Sequence, residues 1–207
     1  MILTRSMTHT GLLAARWLLA GALTFGLGLP LSWLLVFGIQ KLAPINEDRF
    51  WPITIFLCVG LLLGLFQALL AGPAIPRLGR WFAATAIGSL FLLLPVVISY
   101  FFESLIPNST ALTVFLFIYS GVSLGLAQWV VLRTRYRAAG WWILVYVAGL
   151  ACLFPLGSIG FHNLWDLALQ SMLTGLLFSL PAALLLFWLV RSGQQITGTP
   201  GSGGSKP

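Results

Sequence analysis

The chain has 207 residues, 59% of them hydrophobic and only 7% charged, and its mean hydropathy is +0.99. A soluble domain carries about a quarter of its residues as charges to cover its surface, so composition excludes an ordinary water-soluble globule and points to lipid as the solvent of the exterior. The net charge of +7 does not point to nucleic acid, because no basic run extends beyond Arg133, Arg135 and Arg137 and no nucleic-acid motif is present.

The segment 1–15 is mixed, with Arg5 and His9. The apolar stretch Trp17–Gly38 that follows is longer than the 7–15 residues of a secretory signal core, so an uncleaved first transmembrane helix is expected. Further apolar runs cover Trp51–Ala71, Trp81–Phe102, Ala111–Leu132, Trp141–Leu156 (extended to about Ile159) and Leu164–Val190. Crossing a bilayer takes about 20 helical residues. The expectation is an all-α membrane protein with six transmembrane helices in one domain, residues 1–191. Residues 192–207, rich in Gly, Ser and Pro, are expected to form a disordered cytoplasmic tail.

Charge placement tests the span count. With the N-terminus inside, the inner segments hold Arg5, Arg16, Arg77, Arg80, Arg133, Arg135, Arg137, Arg191 and Lys206, nine of the eleven basic residues. The outer segments hold Lys41, Arg49 and all four acids, Glu47, Asp48, Glu103 and Asp166. Lys and Arg decide orientation, so both termini should be cytoplasmic, in a prokaryotic inner membrane or another internal membrane. Trp17, Trp81, Tyr136, Trp141, Trp142 and Trp188 are then expected near the inner boundary, where amphipathic rings favour the headgroup level. Trp51, Tyr100, Phe101, Phe102 and Trp165 are expected near the outer one.

Internal periodicity groups the spans in pairs. Gly60, Gly64 and Gln67 form GxxxGxxQ in the second span; Gly121, Gly125 and Gln128 repeat it 61 residues later in the fourth. Ser171, Gly175 and Phe178 keep the spacing in the sixth, with Phe in place of Gln. The odd spans open at Trp17, Trp81 and Trp142, and Pro30, Pro95 and Pro155 follow 13, 14 and 13 residues later. Three tandem αα-hairpins, at about 16–72, 80–132 and 141–191, account for both patterns. Small residues four apart let neighbouring backbones approach, which is how apolar helices associate in lipid. The prolines kink the odd helices, shaping their packing or opening a cavity between them. Gln67 and Gln128 are expected to bond across helices, worth about 0.6–2 kcal/mol, or to line a solute or lipid-headgroup site.

Few residues suggest chemistry. Gly121–Gly125 reads GxSxG, yet a nucleophile elbow needs a strand-to-helix turn, and here Ser123 falls mid-helix, far from His162. His162 and Asp166, four apart, could with Glu103 hold a divalent ion. Capping by Asn163 with Asp166 in the first turn is the simpler account, and neither metal nor other cofactor is expected. Asn108-Ser109-Thr110 matches a glycosylation sequon but is explained by helix capping. Cys58 and Cys152 lie in apolar runs without CxxC spacing and read as inert thiols. No ionisable residue falls deep within a span, which disfavours ion-coupled transport.

Gly125, Gln128, Trp129, Gly140, Trp141 and Trp142 give the chain its one family likeness. It resembles a set of uncharacterised prokaryotic multi-pass membrane proteins that repeat a GxxQW…GWW-like helical hairpin. The Gly64/Gln67 copy lacks the tryptophan after the glutamine and the third copy lacks the glutamine. The resemblance implies a fold and no activity.

The function expected is therefore a non-enzymatic scaffold or accessory subunit, partnered by membrane lipids and by other membrane proteins or further copies of itself. The alternative is a channel or permease for a small neutral or lipidic solute. A tag fused at Pro207 should be labelled only from the cytoplasmic side; labelling on intact cells would invert the topology.

Overall fold

The computed structural model describes residues 2–42, 47–72, 75, 77–101, 110–151 and 164–192, and every element in it is an α-helix. They are α1 (Ile2–Gln40), α2 (Glu47–Ala71), α3 (Leu78–Phe101), α4 (Thr110–Leu132), α5 (Trp141–Ala151) and α6 (Leu164–Arg191). In an apolar solvent a helix satisfies its backbone internally, which is why such apolar runs take this form. Among the described residues, three stretches are long and apolar enough to cross a membrane: Thr10–Gln40, Ile53–Ala71 and Trp165–Arg191. Shorter apolar stretches, Ile118–Leu132 and Trp141–Leu150, lie in α4 and α5.

One boundary differs from the sequence reading. Helix α1 starts at Ile2 and spans 39 residues, about 58 Å at 1.5 Å per residue, so the mixed segment before Trp17 is helical. It has a packing reason to be, since Thr10 and Leu13 are buried. Helix α1 runs through Pro30 and α6 through Pro181. Pro95 lies within the bounds of α3; its side chain, and the whole of Pro155, fall outside the described residues, as does the extension of the fifth span towards Ile159.

Each helix packs on its successor, and α6 returns to pack on α1, so the six close into a ring. The described core gathers at one end of that ring. There Trp17, Trp81 and Trp142, from α1, α3 and α5, meet edge to face, with centroids 5.3–6.1 Å apart and planes inclined by 75–85°. This is the geometry that ring quadrupoles favour. Beyond the triad the same core holds Leu13, Ile75, Tyr136, Leu186 and Leu189. The outer surface is apolar, with Leu69, Leu169 and Leu184 each more than 60% exposed.

The triad adds what the sequence reading did not contain: Trp17, Trp81, Trp142 and Tyr136, expected near the level of the inner boundary, all face the bundle interior and are at most 1% exposed. A buried indole needs a partner for its N–H, and two of these rings find one inside the bundle. Among the described side chains, Trp33, Trp141, Trp165 and Trp188 are the tryptophans that face outward.

Close backbone contact closes the ring. A Cβ at Gly175 would run into the carbonyl of Gly21, and one at Gly21 would meet the Gly175 carbonyl and the Ser179 side chain. Neither wall has a flexible end that could give way. Gly175→Val should therefore cost about 1–3 kcal/mol, read as a lower melting temperature in detergent, whereas Gly11→Ala, which meets nothing nearby, should leave it unchanged.

Candidate functional site

Gln67 and Gln128 stand at the centre of one buried polar network, at 1% and 0% exposure. Gln67 sits in the last two turns of α2, and Gln128 in the last two of α4. An indole is a donor only, so each tryptophan dictates which way the facing carboxamide points. Trp81 Nε1 donates to Gln67 Oε1 (3.2 Å), and Trp142 Nε1 donates to Gln128 Oε1 (2.9 Å). In both pairs the tryptophan follows its glutamine by 14 residues.

The amide nitrogens then join the two pairs. Gln128 Nε2 donates to Gln67 Oε1 (3.1 Å) and to Thr85 Oγ1 (3.0 Å). Gln67 Nε2 donates to the Tyr146 hydroxyl (3.0 Å). Four helices, α2 to α5, are thereby tied at one level. A net hydrogen bond contributes about 0.5–1.5 kcal/mol, while stranding a buried donor or acceptor costs about 1–3 kcal/mol. The larger penalty for breaking the network makes it a specificity device as well as a stabiliser.

The small residues singled out by spacing face the neighbouring odd helices. Gly64 lies against Thr85 and Phe82, and Gly60 against Ser89, all on α3. Gly125 and Gly121 lie against the backbone of α5 at Ile143 and Val147, 2.8 and 2.6 Å from where their Cβ atoms would stand. Gly175 plays the corresponding part against Gly21 of α1. Ser171 is buried and donates to the carbonyl of Leu167. Thr24 and Ser89 likewise bond back to carbonyls four residues earlier in their own helices. These hydroxyls are quenched locally.

The α6–α1 seam differs in one respect. Phe178 occupies the place that a glutamine holds at the other two, and it packs on Phe25 and Tyr146 (5.3 and 5.4 Å between centroids). Among the described residues, Trp17 Nε1 and Ser179 Oγ are buried without a hydrogen-bond partner. The one indole of the triad without an acceptor is thus the one that faces the seam lacking its glutamine.

Of the candidate metal ligands only Asp166 lies among the described residues. Asp166 lies in the first turn of α6, His162 and Glu103 fall outside the described residues, and the described residues contain no group of three His, Cys, Asp or Glu side chains. Cys58 is a buried free thiol. In the turn after α4, burial pushes the Tyr136 phenol above its ordinary range, with the charge of Arg135 pulling it part of the way back.

Sequence spacing found the glutamines and the small residues but not their partners Trp81, Trp142, Tyr146 and Thr85. The signal was present, since the tryptophans recur at a fixed interval after the glutamines.

Trp→Phe substitution at positions 17, 81 and 142 removes the same part of a ring, but only at 81 and 142 does it strand a glutamine oxygen or weaken its bonding. Trp17→Phe should be milder than Trp142→Phe by about 1–3 kcal/mol in thermal melts of the purified protein; equal losses would mean that the indole bonds contribute nothing. No protein-family model, curated protein or solved structure is found to match this chain.

Proposed function

We propose that the chain is a six-span integral membrane protein of three tandem helical hairpins, with both termini in the cytoplasm, and that it works as a non-enzymatic scaffold or accessory subunit of a membrane assembly. The observation that carries this reading is the glutamine–tryptophan network: the polar side chains at its level are occupied by one another. Such an interior serves to fix helix positions. The three mutually packed indoles fill the ring where a solute would have to pass, which counts against the channel or permease alternative.

The threefold repeat is supported by the seams between successive hairpins. Glutamine and tryptophan pair across α2–α3 and α4–α5 at the same 14-residue spacing, and α6–α1 keeps the glycine contact with Phe178 in the glutamine's place. The orientation is supported by the basic residues that flank these seams, because Lys and Arg are retained on the cytoplasmic side. The exposed leucines of the outer wall suit lipid or the helices of a partner.

Isolation in a mild detergent should recover the protein with a partner or as an oligomer, measured by light scattering and by mass spectrometry of what co-purifies. Strictly monomeric, partner-free protein would refute the scaffold role.

A further inference from the structure

The bond between Gln128 Nε2 and Gln67 Oε1 fixes two chain reversals beside each other. Gln67 stands four residues before the end of α2 at Ala71, and Gln128 four before the end of α4 at Leu132. The turns that follow therefore leave the bundle at the same end. The first holds Arg77 and leads to Arg80 in the opening turn of α3, the other holds Arg133, Arg135 and Arg137, and Arg16 precedes the triad tryptophan of α1 at that same end. All six except Arg135 are exposed, and neither turn contains an acid. The guanidinium of Arg133 lies over the Trp129 ring, 5.0 Å from its centroid, and that of Arg135 over Tyr136 at 5.7 Å.

Arg77 adds an independent observation. It is the one non-glycine residue with positive φ (57°) among the described residues, a conformation that glycine adopts freely and that disfavours a side chain such as arginine. Its carbonyl accepts from the N–H groups of Arg80 and Trp81 as α3 begins. The backbone at this position is suited to glycine, yet a cation stands there. Strain held in place beside a charge cluster is a mark of a working surface.

We propose that these two turns form a binding surface for the phosphate of anionic phospholipid headgroups in the leaflet that this end of the bundle faces. Arginine is the side chain suited to it, since its planar fork engages phosphate oxygens in pairs and keeps its charge at any relevant pH. The cation–π contacts hold the Arg133 and Arg135 guanidiniums against aromatic rings beside the turn after α4, so two of the forks are already positioned. This inference rests on the membrane reading above.

The test uses the full chain in detergent, with phosphatidylglycerol or phosphatidylcholine added and melting temperature as readout, followed by native mass spectrometry to count retained lipids. Phosphatidylglycerol should raise the melting temperature more than phosphatidylcholine, and the difference should shrink with added salt. Arg77→Gly relaxes the backbone and removes the charge, so it should keep or raise the melting temperature without lipid while weakening phosphatidylglycerol binding about fivefold. Arg133→Gln, which leaves the backbone alone, should weaken it to a similar degree. Equal responses to the two lipids would overturn the proposal, as would an Arg77→Gly protein that binds phosphatidylglycerol as well as the unmodified chain. Soluble glycerol phosphate giving the same rise would overturn it in favour of a free phosphate ester. Release of the chain from membranes by alkaline carbonate would instead remove the membrane reading itself, a result distinct from a stable membrane protein indifferent to lipid charge.

Discussion

A carboxamide in an apolar interior must find partners or be excluded from it, and that requirement organises this bundle. Gln67 and Gln128 meet it with each other and with two indoles, a phenol and a threonine hydroxyl. Each bond names a register: shifting α3 against α2 by one residue would take Trp81 from its acceptor. Shape alone does not give this selectivity in lipid, because leucine packs about as well on acyl chains as on another leucine. In a lipid setting such a network supplies direction where the hydrophobic effect is absent.

Close approach of the helices serves the same end. Gly64 and Gly125 let α3 and α5 come near enough for the glutamine one turn further on to reach its tryptophan. Enlarging either glycine would act on the hydrogen bonds as well as on packing. The basic turns belong to this arrangement too, since their proximity follows from the glutamine–glutamine bond. Polar interior and charged rim are two consequences of one contact.

Much of this was legible in the sequence. Composition and run length read as helices in an apolar setting, and the recurrence of Gly60/Gly64/Gln67 at Gly121/Gly125/Gln128 picked out the residues that later proved central to the packing. That Trp17, Trp81 and Trp142 turn inward was not legible, because an amphipathic ring at the end of an apolar run suits a lipid-facing position and a polar interior equally well; only the position of an acceptor separates the two. Which face of α1 turns inward depends on α6, far away in the chain, and no local pattern carries that information. Phe178 was legible as a departure from the pattern, but its effect on Trp17 required knowing that the last helix returns to the first.

That return has a consequence for biosynthesis. Of the six helices α1 is made first, yet Gly21 gains its partner only when Gly175 emerges, so that flank of α1 must wait until the helices between them and α6 itself have been synthesised. The seams formed between consecutive helices can set as they are made. The last one cannot, and it is also the one without a glutamine to guide it, so close glycine-to-glycine contact is what recaptures the waiting helix.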